Sequence, residues 1–96
     1  MSKVEAYKQK IEAEVEVAKA KAAELAAKAK SATANAQVEY SKEIEQIEQG
    51  VKAAEAKLTE LAGAGEHAWE QLKDEAESVW RKLSDTVKGA TAKFKD

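Results

Sequence analysis

The chain has 96 residues and a near-balanced charge, with 16 Lys and Arg against 18 Asp and Glu. There is no proline, no cysteine and only four glycines. This excludes a collagen-like chain, a disulfide framework, a thiolate metal site and nearly all sheet architectures, and it leaves helix. Although 44% of the residues are hydrophobic, 21 of them are alanine, so the apolar core that such a chain can build in one small domain spanning 1–96 is thin.

The segment from Met1 to Lys10 carries Lys3, Glu5, Lys8 and Lys10 with no apolar run behind it, which argues against a secretory leader. No stretch approaches the roughly 20 apolar residues of a membrane span, so a soluble, cytoplasmic protein is expected. From there Val4, Ile11, Val15, Ala18, Ala22, Leu25, Ala29, Ala32 and Ala36 form one stripe at helical spacing. Glu12, Glu14, Glu16, Lys19, Lys21, Glu24, Lys28 and Lys30 lie off that stripe and read as a solvated face. The stripe resumes as Tyr40, Ile44, Ile47, Val51, Ala54, Leu58 and Leu61, after a step of four between Ala36 and Tyr40 where three was due. Such a skip means a change of winding in a coiled coil, or a turn in a compact bundle.

Ser31 to Gln37 contains no Gly, no Pro and no Ser/Thr-x-x-Glu capping box. Its Ser, Thr and Asn lower helix propensity by only a few tenths of a kcal/mol each, so a continuous helix is the favoured reading. Gly50 stands alone in a strong pattern and does not break it. Gly63 and Gly65, which follow the last stripe residue and precede Glu66, predict a stop and restart. Beyond them runs an 11-residue repeat: Trp69 matches Trp80, Leu72 matches Leu83 and Phe94, Asp74 matches Asp85 and Asp96, and Ala76 matches Val87. Eleven residues span three turns, so these side chains stay on one face.

The expected fold is therefore all-α: a long helix over about 3–62 and a shorter antiparallel helix over about 66–94, forming a coiled-coil hairpin. Its packing residues would be Tyr40, Ile44, Ile47, Val51, Leu58, Leu61, Trp69, Leu72, Trp80, Leu83, Val87 and Phe94, with the turn at Gly63 and Gly65. The second helix is too short to cover the first, so Val4, Ile11, Val15, Ala18, Ala22 and Leu25 would face a second copy in a homo-oligomer, a dimer above all. The alternative is a three-helix bundle with a turn near 31–37.

Glu39-Tyr40, Ile44, Lys57-Leu58, Leu61, Gly65, Ala68-Trp69-Glu70, Leu72-Lys73, Val79-Trp80, Leu83, Val87, Ala90 and Phe94 carry a resemblance. Over roughly residues 29–95 the chain resembles a family of small, uncharacterised bacterial coiled-coil proteins with an A-W-E-x-L-K motif and a second tryptophan repeat. It departs from that pattern at Val79, where alanine is commoner, and at Glu77 or Ser78, where glycine is common. The resemblance implies a helical fold and a bacterial origin, and it transfers no activity. A looser likeness, to phasin-like and desiccation-protein helices, lies in the Ala/Lys/Glu composition and the Lys88–Lys93 tail.

Reactive groups are sparse. His67 is the sole histidine, and a bundle-type metal site would want a glutamate three residues before it, where Ala64 stands. The serines at 31, 41, 78 and 84 read as polar-face or cap residues without a second base, and no Gly-rich phosphate loop is present. No cofactor, no metal and no nucleic acid is expected, because basic residues form no patch. Trp69 and Trp80 read first as packing residues. Residues 80–95 also present Trp80, Leu83, Val87, Ala90 and Phe94 on one side, with Arg81, Lys82, Lys88, Lys93 and Lys95 on the rest, as an amphipathic segment for a weak anionic membrane surface would. The sequence thus points to a non-enzymatic structural or interaction protein that self-associates through helices. The alternative is a peripheral lipid- or granule-coating helix protein.

Overall fold

The computed structural model describes residues 3–94, except the side chain of Glu66. Lys95 and Asp96, which the sequence reading includes in the basic tail and the 11-residue repeat, lie outside the described residues. Three helices of nearly equal length follow one another: α1 (Lys3–Ala29), α2 (Ala34–Ala62) and α3 (Glu66–Lys93). The all-α expectation holds, and the architecture is the three-helix bundle.

The continuous helix over 3–62 is corrected: residues 30–33 form a turn. Ser31 closes α1, its backbone N–H and its hydroxyl both donating to the Lys28 carbonyl. Thr33 sits in extended backbone (φ −65°, ψ 164°) and caps α2, its Oγ1 accepting from the Ala36 N–H at 3.3 Å. Gln37 Nε2 donates back to the Ala32 carbonyl at 3.2 Å. Helix propensity loses here because the terms are unequal in size. The preference for helix over Ser31–Asn35 amounts to tenths of a kcal/mol per residue, whereas burying a Val, Leu or Ile is worth about 1.5–3 kcal/mol each. Folding α1 back buries Ile11, Val15 and Leu25 at once.

Two ring contacts fix the helix directions. Tyr7 lies 5.0 Å from Trp69, so α1 and α3 begin at the same end. Tyr40 stacks on Phe94 at 4.3 Å, so the start of α2 meets the end of α3. α1 and α3 therefore run parallel and α2 runs against both, in a rod of about 51 × 18 × 16 Å.

The core is a file of side chains from all three helices, with Ile11, Leu25, Ile47, Leu61 and Leu83 fully enclosed. Ala18, Ala54, Ala76 and Ala90 are completely buried among them, so small residues set a close helix spacing. Gly50 lies close against α3: a Cβ placed there would lie 3.0 Å from Leu83 Cδ1.

The chain reverses at Gly63–Gly65 as expected, though not through a left-handed conformation, since no described residue has a positive φ. Gly63 lies at φ −90°, ψ −3° and its N–H still donates to the Thr59 carbonyl; Gly65 is extended and caps α3 without a side chain.

The helices also reveal a repeat that the stripe pattern conceals. Residues 11–26 and 47–62 align at an offset of 36: Ile11/Ile47, Glu12/Glu48, Val15/Val51, Ala18/Ala54, Ala20/Ala56, Lys21/Lys57, Glu24/Glu60, Leu25/Leu61 and Ala26/Ala62 are identical pairs. The buried residues Ile11, Val15, Ala18 and Leu25 map one for one onto the buried residues Ile47, Val51, Ala54 and Leu61. Even the local ion pair recurs, Lys21 with Glu24 and Lys57 with Glu60.

Candidate functional site

The residues expected to bind a second copy lie inside this one. Val4, Ile11, Val15, Ala18 and Leu25 are buried in the core shared with α2 and α3, and Ala22 is half-buried against it. This corrects the premise that the α1 stripe is left in water. Of the predicted packing residues, Ile47, Val51, Leu61, Trp69, Leu83 and Val87 are buried. Tyr40, Ile44, Leu58, Leu72, Trp80 and Phe94 pack against them half-buried.

That leaves three polar constellations to consider. At one end Lys93 donates to Glu39 Oε2 at 2.7 Å and to Glu43 Oε1 at 3.4 Å, beside the Tyr40–Phe94 stack. The hydrogen bond from Lys93 holds the Glu39 carboxyl below its ordinary pKa, and the same contact raises that of Lys93. Toward the Gly63–Gly65 end, Lys57 is buried along its stem while its ammonium reaches Glu60 at 2.9 Å on α2 and Glu75 at 3.4 Å on α3. Hydrogen bonding to Glu60 outweighs the burial and raises the Lys57 pKa. Between these two the Lys10 ammonium lies 3.9 Å from the centroid of Trp80, at the middle of α3, and 5.2 Å from that of Tyr7. Each constellation joins two helices with opposite or complementary charge, the arrangement of a clasp rather than of an acid–base pair.

Lys57 and Tyr7 are missing from the sequence-based packing residues. Lys57 stands three residues after Ala54 and three before Glu60, so a lysine on the edge of the stripe with a glutamate one turn on was the available signal. Ser84, expected on a polar face, is buried, since it follows Leu83 on the side of α3 that the bundle encloses. His67 is exposed in the first turn of α3. Among the described residues no group of three or more His, Asp or Glu side chains is placed to hold a metal ion.

The amphipathic face proposed for a lipid surface is turned inward. Leu83, Val87 and Ala90 are buried, and Phe94 lies on Tyr40. No helix among the described residues is long and apolar enough to cross a membrane. An open, shallow groove of about 450 Å³ runs between α1 and α2, lined by Ala22, Ala23, Ala26, Ile44, Ile47 and Val51. The ion pair of Lys19 with Glu55, at 3.3 Å, lies on its border.

Known proteins add nothing to this geometry: no family model matches the chain, and no significant match is found among curated proteins or solved structures.

Proposed function

We propose that the chain is a non-enzymatic structural or interaction protein that works through association of its helices, with a second copy of itself as the partner. The observation that carries this reading is the way the side chains are spent. Large apolar groups from all three helices are committed to one helix-packing core, and the charged groups named above clasp helices together instead of converging on a point where a substrate could sit.

The test is sedimentation of the purified chain across a concentration series from about micromolar to millimolar, the range in which weak homodimers populate. A mass that rises above that of one 10.4 kDa chain supports self-association. A single-chain mass at every concentration overturns it.

A further inference from the structure

Resting on that reading, we infer that self-association proceeds by exchange of α1: the turn at residues 30–33 straightens, and each α1 packs on α2 and α3 of a second copy. Three observations carry this.

The first is phase. At 3.6 residues per turn, the 36-residue offset between Ile11 and Ile47 is about ten whole turns. In one continuous helix the buried set of α1 and the buried set of α2 would therefore lie on the same side, about 54 Å apart. Two such rods placed antiparallel around a two-fold axis at the hinge would set α1 of one chain against α2 of the other along their whole length. That restores between chains the antiparallel α1–α2 pairing that the bundle makes within one.

The second is the hinge itself. Lys30-Ser31-Ala32-Thr33 contains no Gly and no Pro, and no described residue has a positive φ, so nothing in its sequence forbids helix. What holds it as a turn is a short set of bonds: Ser31 N–H and Oγ to the Lys28 carbonyl, Ala32 N–H to the Ala29 carbonyl, Thr33 Oγ1 from the Ala36 N–H, and Gln37 Nε2 to the Ala32 carbonyl. Straightening would trade these for the ordinary i to i−4 bonds of a helix.

The third is the contrast with the other turn. Gly63 and Gly65 flank α2 on its far side, where helix continuation is disfavoured by two glycines within three residues. The molecule thus has one turn built to stay a turn and one whose residues suit either state. Because the core contacts of α1 are the same in both forms, the balance between them rests on the hinge and on concentration.

The hinge is tested by substitutions that the two forms tolerate differently. Ala34 is the first residue of α2, where proline needs no hydrogen bond, and Thr33 before it is already extended as a residue preceding proline must be. Ala34→Pro fits the bundle, yet in a continuous helix it would clash one turn back, lowering dimer formation by at least about a hundredfold for each hinge. Thr33→Ala removes the cap and favours helix, and should raise the dimerisation constant about fivefold per hinge, or roughly 25-fold for the pair. Ala32→Gly removes no side-chain bond of the turn but costs a helix about 1 kcal/mol, about fivefold per hinge, and serves as a second blocking variant whose fold is checked, like that of Ala34→Pro, by its helix content and melting curve.

Sedimentation of the four proteins after incubation near millimolar concentration, followed by dilution, reads the result. Dimers in the wild type that persist on dilution, increase in Thr33→Ala and vanish in Ala34→Pro support the exchange. A dimer that survives at wild-type level in folded Ala34→Pro and Ala32→Gly overturns it while leaving self-association through an outer surface intact. Single-chain mass in every variant, Thr33→Ala included, overturns both.

Discussion

The contact between Gly50 and Leu83 yields a prediction from two identical substitutions. Gly50 lies within α2 and Gly89 within α3, and neither needs glycine's conformational freedom, since no positive φ occurs. Replacing glycine by alanine inside a helix gains about 0.5–1 kcal/mol from propensity alone. At Gly89 the added Cβ meets nothing within 4 Å, so Gly89→Ala should deliver that gain and raise the melting temperature by about 2–8 °C for a domain of this size. At Gly50 the same methyl would meet Leu83 Cδ1 at 3.0 Å. Leu83 is only 1% exposed and is held by the core, so relieving the contact strains a packed residue, which costs about 1–3 kcal/mol. The strain exceeds the propensity gain, and Gly50→Ala should destabilise by about 1 kcal/mol, the balance of those two ranges. The assay is thermal and urea unfolding followed by circular dichroism at 222 nm. Leu83→Ala, measured in both backgrounds, should cost about 2–5 kcal/mol in the wild type and at least about 1 kcal/mol less beside Ala at position 50, because the new methyl then fills part of the vacated space. If Gly50→Ala and Gly89→Ala stabilise equally, α2 and α3 do not approach as closely as described and the reasoning fails.

Three further outcomes follow from burial and charge. Leu25→Ala and Ile47→Ala, each at a fully enclosed site, should cost about 2–5 kcal/mol in urea unfolding, whereas Val17→Ala and Val38→Ala, at half-exposed positions, should stay within about 0.5 kcal/mol. Stability against pH should show a plateau with two limbs. Glu39 and Glu24 have pKa values held below the ordinary 4.5 by hydrogen bonds from Lys93 and Lys21, so their contribution is complete above about 4.5 and is lost as pH falls through the depressed folded values. Lys57, Lys73 and Lys93 are raised above the ordinary 10.5 by hydrogen bonds to Glu60, Glu70 and Glu39, so theirs is complete below about 10.5 and is lost as pH rises through the folded values. Urea midpoints from pH 2 to 12 check both limbs; a Glu39→Gln variant whose acid limb matches the wild type would remove that residue from the account. Gly65→Ser adds the hydroxyl cap that α3 lacks and should stabilise by a few tenths of a kcal/mol, read as a small rise in urea midpoint.

The helical class, the turn at Gly63–Gly65 and most core residues were legible in the sequence, because each rests on a local signal. Spacing by threes and fours puts Ile11, Val15, Ile47 and Val51 on one face whatever that face meets, and two glycines after Leu61 stop a helix whatever follows. The turn at 30–33 was legible only as a skipped step between Ala36 and Tyr40. The choice between turn and helix there is not local: it depends on whether α1 buries its stripe on its own chain, which no window around Ser31 contains. The same holds for the site residues. The Lys57 ammonium meets Glu75 across 18 positions, and Lys93 meets Glu39 across 54, distances at which side-chain spacing carries no information.

The 36-residue repeat changes what that local ambiguity means. On the exchange inferred above, an offset of whole turns would keep the two buried sets in register when the hinge straightens, so the extended rod of the exchanged dimer would satisfy the same pattern as the bundle. Sequence periodicity reports the pattern and is blind to which chain completes it. Selection between the forms must then lie where they differ, in the Thr33 cap and the Ser31 and Gln37 hydrogen bonds, and these are worth about 1 kcal/mol each. On the exchange inferred above, a turn held by so few bonds, next to a core worth many times more, would place the choice between one chain and two in residues 30–37.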